Sequence, residues 1–91
     1  MSAIDELIQE ECEKSAEFAA EFRREGERLD AAVALIGLRE EFGMTQRQLA
    51  AATGKTQSTI ARIENGNMNP SVKLLGEIAV ALGRRLEYRF V

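Results

Sequence analysis

Along most of this 91-residue chain apolar residues recur at intervals of three and four, the spacing that lines one face of an α-helix. The pattern predicts a first helix over about Ile4 to Glu13. A second starts at Ser15 as N-cap and runs to about Glu25, with Phe18 and Phe22 one turn apart on one face. Gly26 is expected to interrupt it. A third helix, about Leu29 to Phe42, points Leu29, Val33, Ile36 and Leu38 towards a core and ends at Gly43. Two shorter helices come next, about Gln46 to Thr53 and Gln57 to Asn65. Pro70 and Ser71 break and restart the chain, because proline disfavours helix at the residue before it and Ser71 can cap a new helix. That helix, about Val72 to Leu82, is expected to bury Val72, Leu75, Ile78, Ala79 and Leu82.

After Gly83 the period changes from helical to two, with Leu86, Tyr88 and Phe90 alternating against Glu87 and Arg89, which predicts a short strand. The expected fold is therefore all-α: five to six helices, the number set by whether the first two are separate, and a C-terminal β-strand. A lone strand cannot satisfy its own backbone groups, and no second strand is legible. Strands of two copies could pair across a two-fold axis, making Leu86, Tyr88 and Phe90 dimerisation residues. Packing on the N-terminal helix is the competing solution.

The stretch from Thr45 to Pro70 has the layout of two short helices joined by a tight glycine turn. Leu49 and Ala50 fall one turn after Thr45 and Gln46, and Ile60 and Ile63 repeat at i, i+3, so these four form a seam between the helices. Ala50 offers only a methyl group there and allows close approach. Gly54 stands where the first helix must stop and turn left-handed. Thr45 with Gln48 makes a capping-box pattern. Leu49, Ile60, Ile63 and Gly54 would serve any helical fold, but their joint spacing fits a helix-turn-helix. Such a unit lays its second helix in the DNA major groove. Gln57, Ser58 and Arg62 form an exposed face able to bond base edges or phosphates.

The segment from Thr45 to Asn65, followed by Gly66 and by Asn69-Pro70, resembles the Xre, or lambda-repressor-like, helix-turn-helix family. Ile63-Glu64-Asn65-Gly66 and the run from Leu74 to Gly83 are among its most recognisable pieces, and the resemblance covers roughly residues 29 to 83. It implies sequence-specific binding to double-stranded operator DNA. Carried over residue by residue, Gln57, Ser58 and Arg62 match base-facing positions, with Thr59 near the groove edge. Gln can bond adenine and Arg can bond guanine in a bidentate manner, so Gln57 and Arg62 are the main candidates for readout. Gln46, Thr56, Asn65 and Asn67 would bond phosphates, helped by the helix dipole, while Arg47, Lys55 and Lys73 would add charge. Each could instead be an ordinary solvated side chain.

Both ends resemble a narrower group, the HigA-type antitoxins of bacterial type II toxin–antitoxin pairs. The similarity lies in Ile4 to Leu7, Glu17 to Phe22, and Leu86 to Val91. Where that group often carries an Asp-Pro and a second proline, this chain has Lys14-Ser15-Ala16 and Gly26-Glu27-Arg28. The resemblance implies that residues 1–28 bind and neutralise a basic, mRNA-cleaving toxin of the HigB/RelE-like type. Leu7, Ile8, Phe18 and Phe22 would be apolar anchors, and Glu10, Glu11, Glu17 and Glu21 would oppose toxin cations. Phe18 and Phe22 could equally pack on the protein's own core. The implied organisation is an acidic N-terminal segment at 1–28, a DNA-binding domain at 29–83 and a dimerisation element at 84–91.

Charge fits such a division. Residues 1 to 30 hold ten acidic and four basic side chains, net −6, whereas residues 31 to 91 hold five acidic and eight basic, net +3. A basic half can approach phosphates, and an acidic segment suits a cationic protein, although a Glu-rich helix can also be simply well solvated. Hydrophobic residues make up 45% of the chain and aromatics 5% with no Trp, so one small domain with a Leu, Ile, Val and Ala core is expected, and a homodimer would add stability. Cys12 is the only cysteine and there is no His, which leaves no internal disulfide, no structural zinc site and no usual general base. No enzyme activity and no cofactor are expected. No apolar run reaches the length of a membrane span and the N-terminus is acidic, so a cytoplasmic protein with no membrane partner is expected; the antitoxin resemblance implies a bacterial one.

Two alternatives to an antitoxin carry the same residues. A free-standing repressor of the family would use the acidic helices for packing or dimerisation. An adaptor with the fold but no DNA binding would have no use for the polar face of Gln57, Ser58 and Arg62.

Overall fold

The computed structural model describes Ile8 and residues 16–91. Four helices are found among residues 16–91: α1 Ala16–Glu41, α2 Gln46–Thr53, α3 Gln57–Glu64 and α4 Val72–Ala81. The helix expected over 4–13 lies outside the described residues, as do the candidate toxin contacts Leu7, Glu10 and Glu11, Cys12, and the Ser15 cap. Ile8 is helical and half-buried.

The expected second and third helices are one. α1 runs unbroken for 26 residues, and Gly26 does not interrupt it. A single glycine in a helix costs only about 1 kcal/mol against alanine, too little to break a run of strong helix formers on both sides. Ion pairs Glu21–Arg24 and Glu25–Arg28 brace that stretch at i, i+3 spacing. The apolar face of α1 also differs from the expected one. Ala31, Ala32 and Leu35 are buried, with Leu38 packed against the core, while Leu29 and Val33 are 59% and 71% exposed and Ile36 is half-buried. Expecting the largest residues inside misplaces the face. Alanines occupy it where α1 approaches α3, and Leu29 instead lies over the turn after α3, its Cδ2 3.9 Å from where a Gly66 side chain would begin.

The later helices start and stop as their residues dictate. Thr45 accepts from the Gln48 amide at 3.1 Å while the Gln48 side chain accepts from the Thr45 amide at 2.8 Å, a complete capping box. Gly54 ends α2 at φ 68°, a left-handed conformation that side chains resist. Ser71 caps α4 by accepting from the Leu74 amide at 3.0 Å. Leu49, Ile60, Ile63 and Ile78 are the largest fully buried side chains, each worth about 1.5–3 kcal/mol of burial. They join Ala31, Leu35 and Ala50 in one core among the four helices. In α4, Ile78 and Ala79 are buried and Leu75 and Leu82 half-buried, but Val72 stands 55% exposed, while Met68 and Leu74 pack against the core.

The expected C-terminal strand is absent: no strand occurs among the described residues, and 84–91 carry no regular structure. The physical reason is that the described residues of one chain supply no ladder partner. Among the described residues, no helix is long and apolar enough to cross a membrane.

Candidate nucleic-acid interface

The second motif helix is turned by its own apolar residues. Ile60 and Ile63 of α3 are 0% exposed, which fixes the rotation of a two-turn helix about its axis. At about 100° per residue, Ser58 and Arg62 then fall together on the opposite side, and Gln57 stands about 100° round from Ser58 at the helix start. All three are exposed, and no hydrogen bond or ion pair among the described residues engages their side chains. The geometry leaves their full donor and acceptor capacity for a ligand.

Thr56, a candidate phosphate contact, also sets how α3 begins. It is the N-cap of α3, its hydroxyl accepting from the Thr59 amide at 3.1 Å and lying 2.9 Å from the Thr59 hydroxyl. Thr59 is half-buried and shares that bond. The pair sets the start of α3 and so the height of Gln57 and Ser58 above whatever they touch. At the other end Asn65 caps α3, and the Asn67 amide donates to the Arg62 carbonyl at 2.9 Å, holding exposed Asn67 close behind Arg62.

The candidate phosphate contacts separate into free and engaged groups. Arg47 and Lys73 are exposed and form no ion pair among the described residues. Gln46 is half-buried and its Nε2 donates to Glu64 Oε1 at 3.2 Å. The Lys55 ammonium is already ion-paired with Glu77 of α4. Between Thr45 and Glu77 the sequence holds four basic side chains and two acidic; Glu64 is paired with Arg39 and Glu77 with Lys55, and Arg47, Arg62 and Lys73 form no ion pair among the described residues.

Glu64 and Arg39 are structural residues that sequence reasoning missed. Arg39 grips Glu64 with Nε to Oε2 at 2.8 Å and a second nitrogen to Oε1 at 3.0 Å, and also donates to the Met44 carbonyl at 3.0 Å. The Glu64 side chain is 4% exposed and that of Arg39 21%. The hydrogen bond to Glu64 holds the Arg39 pKa above its ordinary value. This network joins α1 to the end of α3 and, through Gln46, to the start of α2. Its signal was present: Arg39 lies one turn after Leu35 on the apolar stripe of α1, and Glu64 comes directly after Ile63, opposite charges on two facing helices.

Of the candidate toxin contacts, Glu17, Phe18, Glu21 and Phe22 lie on the first two turns of α1, with Phe18 41% and Phe22 47% exposed. The dimerisation candidates Tyr88 and Phe90 are 69% and 105% exposed, while Leu86 is half-buried.

A helix-turn-helix family model matches residues 35–89. The chain is similar to an uncharacterized HTH-type transcriptional regulator of Methanothermobacter thermautotrophicus, 48% identical over 46 residues that span 50% of this chain and 67% of the relative. A protein of the same description from Archaeoglobus fulgidus is 40% identical over 53 residues, 58% of this chain and 76% of the relative. One from Haemophilus influenzae is 40% identical over 52 residues, 57% of this chain and 53% of the relative. No solved structure matches significantly. With the capped helix pair, the glycine turn and the outward polar face within or bordering the matched segment, the chain belongs to the helix-turn-helix family.

Proposed function

We propose that this protein is a sequence-specific DNA-binding regulator that works as a homodimer, represses its own operon and neutralises a HigB-type toxin encoded beside it. The observation that carries the DNA reading is the uncommitted face of Gln57, Ser58 and Arg62 on a helix anchored by two fully buried isoleucines. Arg62 reads guanine and Gln57 adenine in the major groove, Ser58 discriminates less, and Thr59 stands at the groove edge. Arg47, Lys73, Asn65, Asn67 and the start of α2 and α3 hold the phosphates and set the register. A titration of upstream regulatory DNA with the purified protein tests this, the complex weakening steeply with salt.

The dimer rests on exposed apolar surface at the C-terminus. Tyr88 and Phe90 lack cover in one chain, next to a groove of about 270 Å³ lined by Leu35, Leu38, Leu75 and Ile78 among others. A second copy supplies the missing apolar neighbours and the two-fold symmetry that palindromic operators require. The antitoxin role rests on the net charge of −6 over residues 1 to 30 and on the partly exposed Phe18 and Phe22 on the acidic part of α1. Co-expression with the adjacent gene product tests it. Phe18→Ala with Phe22→Ala should abolish capture of the toxin while DNA binding persists, and full neutralisation by a copy lacking residues 1–28 would refute it.

A second reading, a repressor without a toxin, draws support from the relatives, whose names give transcriptional regulation alone. The same pull-down separates the two.

A further inference from the structure

One carboxylate stands among the cations that flank α3. Lys55 occupies the turn between α2 and α3, immediately before the Thr56 cap, and its Nζ is ion-paired with Glu77 of α4. Lys73 lies one turn before Glu77 on the same helix. Both lysines act on that carboxylate, Lys55 by hydrogen bond and charge and Lys73 by charge, and hold its pKa below the ordinary 4.5. The side chains of Lys55 and Glu77 are 25% and 43% exposed, so the pair is open to an arriving phosphate. Glu77 is the only acidic residue between Glu64 and Glu87, and Glu64 is held by Arg39.

We propose that Glu77 is a specificity-determining residue of the DNA interface: by occupying Lys55 and offsetting Lys73, it weakens sequence-independent attraction to phosphate and leaves binding dependent on Gln57 and Arg62. The inference rests on the DNA-binding reading above. A phosphate that takes Lys55 must displace the carboxylate, which then repels the backbone. On random DNA the complex has little besides phosphate contacts, and long lysine side chains can always find a phosphate, so the presence of Glu77 is felt in full. On the operator, the base contacts of Gln57 and Arg62 fix the register, so the protein cannot shift along the backbone to suit the freed lysines, and removing Glu77 gains less there than on random DNA.

The test is a double-mutant cycle of Glu77→Gln and Lys55→Gln, read by fluorescence anisotropy on upstream regulatory DNA and on a random duplex of equal length. Thermal unfolding checks that each variant is folded. Glu77→Gln should tighten random-duplex binding by about threefold and steepen the plot of log affinity against log salt by about 0.9 for each lysine freed. The operator-to-random ratio should fall. Lys55→Gln should do little while Glu77 is present but should remove most of the gain in its absence, a coupling that a merely structural role would not produce. An unchanged random-duplex affinity and slope in Glu77→Gln, or an equal rise on both duplexes, overturns the proposal while leaving the DNA reading intact. Absence of any wild-type complex with upstream DNA at low ionic strength overturns the DNA reading, and this inference with it.

Discussion

The same chemical change, glycine to alanine, should have opposite effects at two positions of this fold. Gly37 lies inside α1, and a β-carbon built there meets nothing within 4 Å, so there is no steric term to consider. Alanine then removes the conformational freedom glycine has in the unfolded chain, and Gly37→Ala should stabilise by about 0.5–1 kcal/mol. Gly54 is equally open, with nothing within 4 Å, but its φ of +68° is a left-handed conformation. A side chain there crowds its own carbonyl, so Gly54→Ala should destabilise by about 1–2 kcal/mol. The two variants should thus differ by roughly 2 kcal/mol, or about 8–16 °C in Tm for a domain of this size. Urea and thermal unfolding followed by far-UV circular dichroism measure both. Equal shifts of the same sign would refute the assignment of α1 as continuous through Gly37 and of the turn at Gly54 as left-handed.

Three further outcomes are expected from the packing and the ion pairs. Leu49→Ala, at a side chain with 0% exposure, should cost about 2–5 kcal/mol, whereas Val80→Ala, at 73% exposure, should leave stability within about half a kcal/mol; denaturant midpoints check both. Glu64→Leu alone should lower Tm because Arg39 loses its partner, while Arg39→Met with Glu64→Leu should recover much of the loss, a comparison read by calorimetry. Glu21 and Glu77 have folded-state pKa values below 4.5, so the stability they contribute is present above that pH and is lost as pH falls through the lower folded value. Acid titration of unfolding should show Glu77→Gln flattening the loss below about pH 4.5, and an unchanged profile would contradict the ion pair with Lys55.

The helix-turn-helix was legible in the sequence because each of its signals is local. The Thr45 cap needs only Gln48, the turn needs only Gly54, and the seam needs Leu49, Ala50, Ile60 and Ile63 at helical spacing. The features that were not legible depend on partners distant in sequence. The buried face of α1 is chosen by α3, so alanines that look unimportant in isolation are inside and Val33 is outside. Arg39 and Glu64 are 25 positions apart, and Lys55 and Glu77 are 22 apart. Arg39 and Glu64 each border an apolar stripe, but only the fold shows that they face each other, and nothing local marks Lys55 and Glu77 as partners. Gly26 misleads because a helix-weakening residue counts for little beside the helix formers around it. The period-two pattern after Gly83 is real, yet alternation alone makes no strand where the described residues offer no ladder partner.

The most direct test compares the wild-type protein with Gln57→Ala and Arg62→Ala on upstream regulatory DNA and on a scrambled duplex, by anisotropy at two salt concentrations. The expected result is a wild-type preference for the regulatory sequence that each variant reduces by about 1–3 kcal/mol, with little change on the scrambled duplex. A wild-type protein that shows no preference for its regulatory DNA, or variants that keep it in full, would contradict the assignment of α3 as the reading helix.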